Sequence, residues 1–193
     1  MTGKNQNKSL LRPAVFLDRD GVVVRYKRLL THKEDLELLP HMSEVLLRLH
    51  EAGYVLVLIT NQSVVARGLI TEEELTKLHE YLQTMLAQSG VQLDAIYYCP
   101  HHPNAEVERY RTTCACRKPN TLLIERATEE LGLDLSKSFL IGDEDKDIQA
   151  GTKAGVKTIF LSTDTNPTDS EPTFIAGNAL EVERFIERAA RKH

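Results

Sequence analysis

The sequence predicts a doubly wound α/β fold, in which helices cover both faces of a parallel sheet. Apolar, β-branched runs that end abruptly in polar residues alternate with segments of helical periodicity. Such runs are typical of buried parallel strands. The length agrees, because 193 residues with 41% hydrophobic and 27% charged side chains can bury one sizeable core. We therefore expect a single domain over residues 1–193, with its core at about 14–162.

Strands and helices alternate along the predicted chain. The predicted strands cover 14–18, 54–60, about 95–98, 138–142 and 157–162. The predicted helices cover 42–52, 71–86, 121–131, 146–154 and about 180–190. Thr71 and Glu74 form a capping-box pair at the start of the second helix, and Gly132 is placed to end the third.

Charge and hydropathy argue against two classes of partner. Lys and Arg total 24 against 28 Asp and Glu, a net charge of −4, so the chain lacks the basic field typical of nucleic-acid binding. No apolar run approaches the roughly 18 residues of a membrane span, and the polar start MTGKNQNKSLLRP lacks a signal-peptide core. We expect a cytoplasmic monomer with no nucleic-acid or membrane partner.

Polar residues follow three of the predicted strands at their carboxyl ends. Asp18 and Asp20 follow the first strand, Thr60 ends the second, and Asp143 follows the fourth, with Asp147 close behind. In open α/β sheets the ligand lies beyond these strand ends, so the side chains should share one crevice. Carboxylates this close repel one another unless a cation or shared protons compensate, and hard oxygen ligands suit Mg²⁺.

Phosphoryl transfer is the chemistry that fits this set best. Its transition state spreads negative charge over oxygens, which a metal ion, a lysine and hydrogen-bond donors can stabilise. One carboxylate can attack phosphorus as a covalent nucleophile, and a second can protonate the leaving oxygen. An Asp-x-Asp pair alone is common on loops, and a lone lysine such as Lys118 is usually solvated surface. Their placement at successive strand ends is what favours a site.

Three cysteines within eighteen positions predict a metal site rather than a disulfide framework. Cys99-x-His101 and Cys114-x-Cys116 offer three thiolates and an imidazole, a set that suits a closed, tetrahedral, structural Zn²⁺. Any one disulfide would leave a third thiol unpaired. His102 is an alternative ligand to His101.

The position of the predicted zinc loop, residues 99–119, suggests what the metal would do. Arg117 and Lys118 directly follow the last predicted ligand. A metal ion that pins the loop would therefore hold this basic pair at the mouth of the active site.

Four short motifs resemble those of the haloacid dehalogenase superfamily of phosphohydrolases. They are Asp18-Arg19-Asp20-Gly21, Ile59-Thr60-Asn61-Gln62-Ser63, Cys116-Arg117-Lys118-Pro119 and Ile141-Gly142-Asp143. The two cysteine segments resemble, more narrowly, the branch that contains histidinol-phosphate and D-glycero-D-manno-heptose 1,7-bisphosphate phosphatases. The resemblance covers about residues 14–162 and implies the Rossmann-like fold of that superfamily.

The resemblance implies a role for each matched residue. Asp18 would be the nucleophile that forms an aspartyl-phosphate, and Asp20 the general acid and then the base that activates water. Thr60 and Lys118 would hold the transferring phosphoryl group. The residues implied to contact the substrate are Asn61, Gln62, Ser63 and Arg117.

The same resemblance implies a Mg²⁺ site and an open cleft. Mg²⁺ would be bound by the carboxylates of Asp18 and Asp143 and by the main-chain carbonyl of Asp20, with Asp147 supporting the site from outside the ligand set. Predicted elements fill the intervals between the motifs, which leaves no room for a separate cap domain. Specificity would then depend on loops, including the zinc loop and residues 25–31.

Some positions depart from the family pattern. Val22 stands where Thr is common, and Glu144 adds negative charge where relatives often have a cation. Arg25, Lys27 and Arg28 form either a second phosphate-binding patch, which would suit a bisphosphate, or a solvated basic loop.

The implied function is a phosphomonoesterase that uses Mg²⁺, carries structural Zn²⁺ and acts on a phosphorylated sugar. Twelve residues separate His101 from Cys114, and a loop of this length favours the heptose bisphosphate 7-phosphatase type. Histidinol-phosphate phosphatase is the enzymatic alternative. A catalytically silent zinc-containing binding protein on the same fold is an alternative of another class.

Overall fold

The computed structural model describes residues 11–162 and 169–191. Most of the polar N-terminal stretch, residues 1–10, lies outside them. Six strands are present: β1 (Ala14–Leu17), β2 (Val55–Asn61), β3 (Ala95–Cys99), β4 (Phe139–Gly142), β5 (Lys157–Leu161) and β6 (Phe174–Ala176). The helices are α1 (Met42–Glu51), α2 (Ser63–Ala66), α3 (Glu72–Ala87), α4 (Leu122–Leu131), α5 (Asp145–Ala154) and α6 (Ala179–Ala190).

The strands form one parallel sheet in the order β3-β2-β1-β4-β5-β6. The chain builds outward from β1 to β3 on one side and from β4 to β6 on the other. The strand order therefore reverses between β1 and β4, and a ligand crevice is expected at the carboxyl ends of these two strands.

Helices cover both faces of the sheet, which confirms the predicted doubly wound class. Side chains of α1, α3 and α6 pack on the face that Val15 and Leu17 of β1 enter. Side chains of α4 and α5 pack on the opposite face, against Phe16. Because β1 is buried on both faces, its residues are a continuous apolar run rather than an alternating one.

Besides three short 3₁₀ turns, one strand and one α-helix were not predicted from the sequence. β6 has three residues and pairs only with β5, so it is too short to show a periodic pattern. α2 is a single turn that begins at Ser63, the last residue of the second motif. The predicted end signals are present, because Thr71 and Glu74 form a reciprocal capping box and Gly132 ends α4 with φ of 64°.

The intervals between the motifs contain no inserted domain in the described stretch from β1 to α4. The first holds one short 3₁₀ turn and α1, and the second holds α2, α3, β3 and the zinc loop. The cleft is therefore uncapped, as predicted. No helix among the described residues has the length and apolarity needed to cross a membrane.

Candidate active site

Three carboxylates meet at the strand-order reversal. Asp18 follows β1, Asp143 follows β4, and Asp147 lies in the first turn of α5, with oxygens of all three within 4.8 Å of one another. Two glycines permit this approach: a Cβ on Gly21, which has φ of +79°, would lie 1.9 Å from Asp143 Oδ2, and a Cβ on Gly142 would lie 2.1 Å from the Cβ of Asp147. The glycines of two motifs are thus required by the packing of the acids.

Lys118 is the cation that balances the acids. Its Nζ lies 2.9 Å from Asp18 Oδ1 and 2.7 Å from Asp147 Oδ1, and it donates to the carbonyl of Ile59 at 2.8 Å. Burial opposes the charge on Lys118, but Asp147 and Asp18 outweigh it and hold the pKa of this ammonium above its usual value. Burial likewise opposes ionisation of Asp18, yet Lys118 lowers the pKa of that carboxyl. Asp18 is therefore a buried carboxylate with its charge retained.

The acids fit a hard divalent cation. Within the described part of the chain, Asp143 Oδ1 is buried and has no hydrogen-bond partner. Burial, followed by repulsion from Asp18 and Asp147, raises the pKa of Asp143 to about 8. An unpartnered carboxylate oxygen that faces two more acids is a suitable Mg²⁺ ligand. Asp147 instead contacts Lys118 through one oxygen and accepts from the N–H of Glu144 through the other, which favours its predicted supporting role.

Proton competition at Asp143 predicts a pH-dependent Mg²⁺ affinity. Because the pKa of Asp143 is about 8, this group carries a proton below that pH, and Mg²⁺ must displace it. We expect Mg²⁺ to bind roughly 50-fold more tightly at pH 8 than at pH 6, measured by titration calorimetry. Asp143→Asn should remove this pH dependence. Equal affinity at the two pH values in the unaltered protein would contradict the assignment.

Asp20 and Thr60 are joined by Gln62. The side-chain amide of Gln62 donates to Asp20 Oδ2 at 3.0 Å and to Thr60 Oγ1 at 2.9 Å. Gln62 therefore connects two predicted catalytic groups. It is only 2% exposed, although it is among the residues that line the cleft. The cleft has a volume of about 220 Å³. The predicted residues that line it are Asp18, Asp20, Thr60, Asn61, Gln62, Ser63 and Arg117.

Asn61 and Arg117 line the cleft and also form hydrogen bonds with main-chain groups of the zinc loop. The amide of Asn61 donates to the carbonyl of Lys118 and accepts from its N–H, both at 3.0 Å. Arg117 Nη1 donates to the carbonyl of His101 at 3.0 Å. The hydrogen bonds of Asn61 connect the end of β2 to the segment that carries Lys118.

The zinc loop brings its four predicted ligands together. The sulfur atoms of Cys99, Cys114 and Cys116 lie 3.2–3.5 Å apart, and His101 Nδ1 lies 3.4 Å from the sulfur of Cys116. None of the cysteines forms a disulfide. His102 lies outside this cluster, since its Nδ1 accepts from the N–H of Asn104. The geometry therefore favours His101 over His102 and supports a tetrahedral metal site.

Removal of one thiolate should release the metal. We expect Cys114→Ser to lower bound zinc from about one ion per chain to a small fraction and to lower Tm, because three ligands hold structural zinc far less tightly than four. Metal analysis after treatment with a chelating resin measures this. His101→Asn should lose the metal, whereas His102→Asn should keep it. Full zinc content in Cys114→Ser would contradict the ligand assignment.

Two cations at the cleft were not predicted. Arg67 directly follows α2, the helical turn that the sequence analysis missed, and it lines the cleft. Lys146 also lines it and pairs with Glu144 at 2.5 Å. The negative charge of Glu144, one of the family departures, is thus offset two residues later. This pair could have been predicted from the sequence, because a lysine stands two positions after the glutamate.

Together, the six-stranded parallel sheet and the acid-lysine cluster at the end of its central strand define a hydrolase of the haloacid dehalogenase class. A family model described as HAD-hydrolase-like matches residues 115–182. The D-glycero-β-D-manno-heptose-1,7-bisphosphate 7-phosphatase of Photorhabdus laumondii is 43% identical over 159 residues, which cover 82% of this chain and 85% of that protein. The chain belongs to this phosphatase family of the haloacid dehalogenase superfamily.

Other relatives agree with this assignment. The Escherichia coli K12 protein of the same name is 38% identical over 180 residues, covering 93% of this chain and 94% of that one. Among solved structures, the D,D-heptose 1,7-bisphosphate phosphatase of B. bronchiseptica, complexed with magnesium and phosphate, has a TM-score of 0.77 and 29% identity, covering 94% of this chain and 99% of that one. A putative HAD-like phosphatase of Mesorhizobium loti has a TM-score of 0.82 and 26% identity, covering 92% and 85%.

Proposed function

We propose that this protein is a Mg²⁺-dependent phosphomonoesterase that removes the 7-phosphate of D-glycero-D-manno-heptose 1,7-bisphosphate. The observation that carries the proposal is the placement of buried Lys118 between Asp147 and Asp18, the latter of which lines the uncapped cleft. The names of the relatives support the choice of substrate. The magnesium and phosphate in the B. bronchiseptica structure support the cofactor and the reaction class.

The first half of the reaction transfers the phosphoryl group to the protein. Asp18 Oδ attacks phosphorus, and the bond from phosphorus to the sugar oxygen breaks. Lys118 and Thr60 neutralise and hold the transferring oxygens, while Asp20 donates a proton to the leaving sugar oxygen. The carboxylates of Asp18 and Asp143 and the main-chain carbonyl of Asp20 would hold Mg²⁺, which would supply further positive charge to stabilise the transferring phosphoryl group.

The second half returns Asp18 to its starting state. Asp20 has given up its proton and now takes one from a water molecule, which attacks the phosphorus of the aspartyl-phosphate. The Asp18 oxygen leaves, and inorganic phosphate is released. Lys118 Nζ, 2.9 Å from Asp18 Oδ1, would stabilise the Asp18 carboxylate before it attacks and again after phosphate is released.

The zinc loop would act without entering the chemistry. Four protein ligands leave no open position on a tetrahedral ion. Zn²⁺ bound by Cys99, His101, Cys114 and Cys116 would therefore be structural, and would fix the segment that delivers Arg117 and Lys118.

The charge at the cleft supports a substrate with two phosphates. Arg25 pairs with Glu37 at 3.0 Å and Lys27 with Asp35 at 2.7 Å, so the basic loop at 25–28 is largely neutralised. Arg28, Arg67 and Arg117 line the cleft as well, and they add positive charge beyond the acid cluster. A second phosphate would be attracted to these guanidinium groups.

A comparison of substrates tests the proposal. We expect kcat/KM for heptose 1,7-bisphosphate to exceed that for histidinol phosphate by roughly 100-fold or more, because two or more guanidinium groups would contact the second phosphate. Phosphate release is the measurement. A preference for histidinol phosphate would overturn the choice of substrate. No phosphate release from either compound or from p-nitrophenyl phosphate would favour a catalytically silent binding protein.

A further inference from the structure

We propose that Arg19, the residue between the two aspartates of the first motif, is a positioning residue that aims Asp20 at the leaving oxygen. This role rests on the proposed function, since it assumes that Asp20 is the general acid. Arg19 itself would touch neither the substrate's reacting atoms nor the metal.

The contact between the two residues is a two-pronged ion pair. Arg19 Nε donates to Asp20 Oδ1 at 3.1 Å, and Arg19 Nη2 donates to Oδ1 at 3.0 Å and to Oδ2 at 2.9 Å. The Arg19 side chain is 1% exposed and the Asp20 side chain 21%. Because a planar guanidinium matches a carboxylate in two places, it fixes the carboxylate plane as well as its position.

Asp20 is the counter-ion of this buried guanidinium in its ionised form, and when Asp20 is protonated on Oδ2 its Oδ1 can still accept from Arg19 Nε and Nη2. Among the residues that the structure describes, no other carboxylate forms a salt bridge with Arg19, and Arg19 Nη1 has no hydrogen-bond partner. A buried charge left without its counter-ion is strongly unfavourable. Separation of Arg19 from Asp20 should therefore cost more free energy than separation of an exposed ion pair.

The main chain of Arg19 stabilises the conformation of the first motif. Its N–H donates to Asp18 Oδ1 at 2.8 Å, and its carbonyl accepts from the N–H groups of Val23 and Val24 at 3.0 and 2.9 Å. The turn after β1 is thereby closed, and Arg19 contacts both the nucleophile and the general acid.

Gln62 restrains Asp20 from the other side. Its amide donates to Asp20 Oδ2, so this oxygen accepts from both Gln62 and Arg19, whereas Oδ1 accepts from Arg19 alone. If Arg19 is truncated, Gln62 alone holds the carboxylate through one oxygen, and the carboxylate can rotate. Proton delivery to the leaving oxygen then suffers, because general acid catalysis depends on hydrogen-bond geometry.

Two esters with different leaving groups distinguish a loss of Asp20 positioning from a general loss of active-site structure. The sugar oxygen of heptose 1,7-bisphosphate needs a proton as it leaves, whereas p-nitrophenolate leaves without one. The comparison uses kcat/KM, which covers the steps through departure of the leaving group. We expect Arg19→Met to lower kcat/KM for heptose 1,7-bisphosphate roughly 100-fold more than for p-nitrophenyl phosphate.

Arg48 offers a matched control. It also forms a two-pronged pair with a mostly buried carboxylate, that of Glu183, but between α1 and α6 and away from the cleft. Arg48→Met should lower stability and leave the ratio of the two kcat/KM values within about 2-fold of the unaltered protein, because it removes an ion pair and no active-site contact. Arg19→Lys keeps the buried charge and is the variant to use if Arg19→Met does not fold. It should change the ratio roughly 10-fold, since a single ammonium cannot hold both oxygens.

The possible results distinguish failure of the positioning role from failure of the proposed function. A folded Arg19→Met or Arg19→Lys protein that loses activity equally on both esters would overturn the positioning role, while the proposed function would stand. If the unaltered protein hydrolyses neither ester, the proposed function itself fails, and that result is visible before any variant is made.

Discussion

Replacement of Asp18 by Asn is expected to lower kcat for phosphate release by roughly 10⁴-fold, because an amide cannot form the aspartyl-phosphate. The fold should survive the change, since Lys118 keeps its contact with Asp147 at 2.7 Å. The measurement is steady-state phosphate release together with thermal unfolding of both proteins. A large fall in rate with little change in Tm is the predicted combination.

Asp94 provides the control for this substitution. Its Oδ2 accepts from the N–H of Leu56 at 2.8 Å, and it lies before β3, away from the cleft. Asp94→Asn also replaces one carboxylate by an amide that can accept the same hydrogen bond, and it should leave kcat unchanged. If Asp18→Asn released phosphate as fast as the unaltered protein, Asp18 would not be the nucleophile.

Replacement of Lys118 by Met is expected to damage both the rate and the fold. Without this ammonium, the buried carboxylates of Asp18, Asp143 and Asp147 lose the lysine that forms ion pairs with two of them, and more distant Lys146 is left to offset their charge. Loss of one partner of a buried ion pair is destabilising by about 3–5 kcal/mol. Loss of a charge that stabilises the transition state should lower kcat by roughly 10²–10³-fold.

Lys153 provides the control for Lys118. It is exposed and donates to the carbonyl of Pro119, the residue next to Lys118, at 3.1 Å. Lys153→Met should keep both kcat and Tm close to those of the unaltered protein. Chemical unfolding and phosphate release measure the two effects, and a Lys118→Met protein of unchanged stability would contradict the balancing role.

Most of the site was predictable because its residues lie at the ends of recognisable strands. The apolar runs before Asp18, Thr60 and Asp143 identify three neighbouring parallel strands, and their topology brings these ends together. The cysteine and histidine spacing likewise predicted the four clustered donors. The Cys-x-His spacing of the family favoured His101 over His102, and the structure places His101 in the cluster and His102 outside it.

The contacts between distant segments were not predictable. Asp147 was predicted to support the metal site, but its contact with Lys118 depends on how α5 packs against the zinc loop. Gln62 was predicted to contact the substrate, and its amide also bridges Asp20 and Thr60, because an amide side chain can turn toward either neighbour. The short elements α2 and β6 contain too few residues to show periodicity.

The most direct test of the account is to trap the covalent intermediate. Acid quenching of the protein during turnover of heptose 1,7-bisphosphate, followed by peptide mass spectrometry, measures which residue carries a phosphoryl group. We expect a phosphoryl group on Asp18. Hydroxylamine should remove it, because hydroxylamine reacts with acyl phosphates. A phosphoryl group on any other residue, or turnover during which no phosphorylated peptide can be trapped, would contradict this assignment.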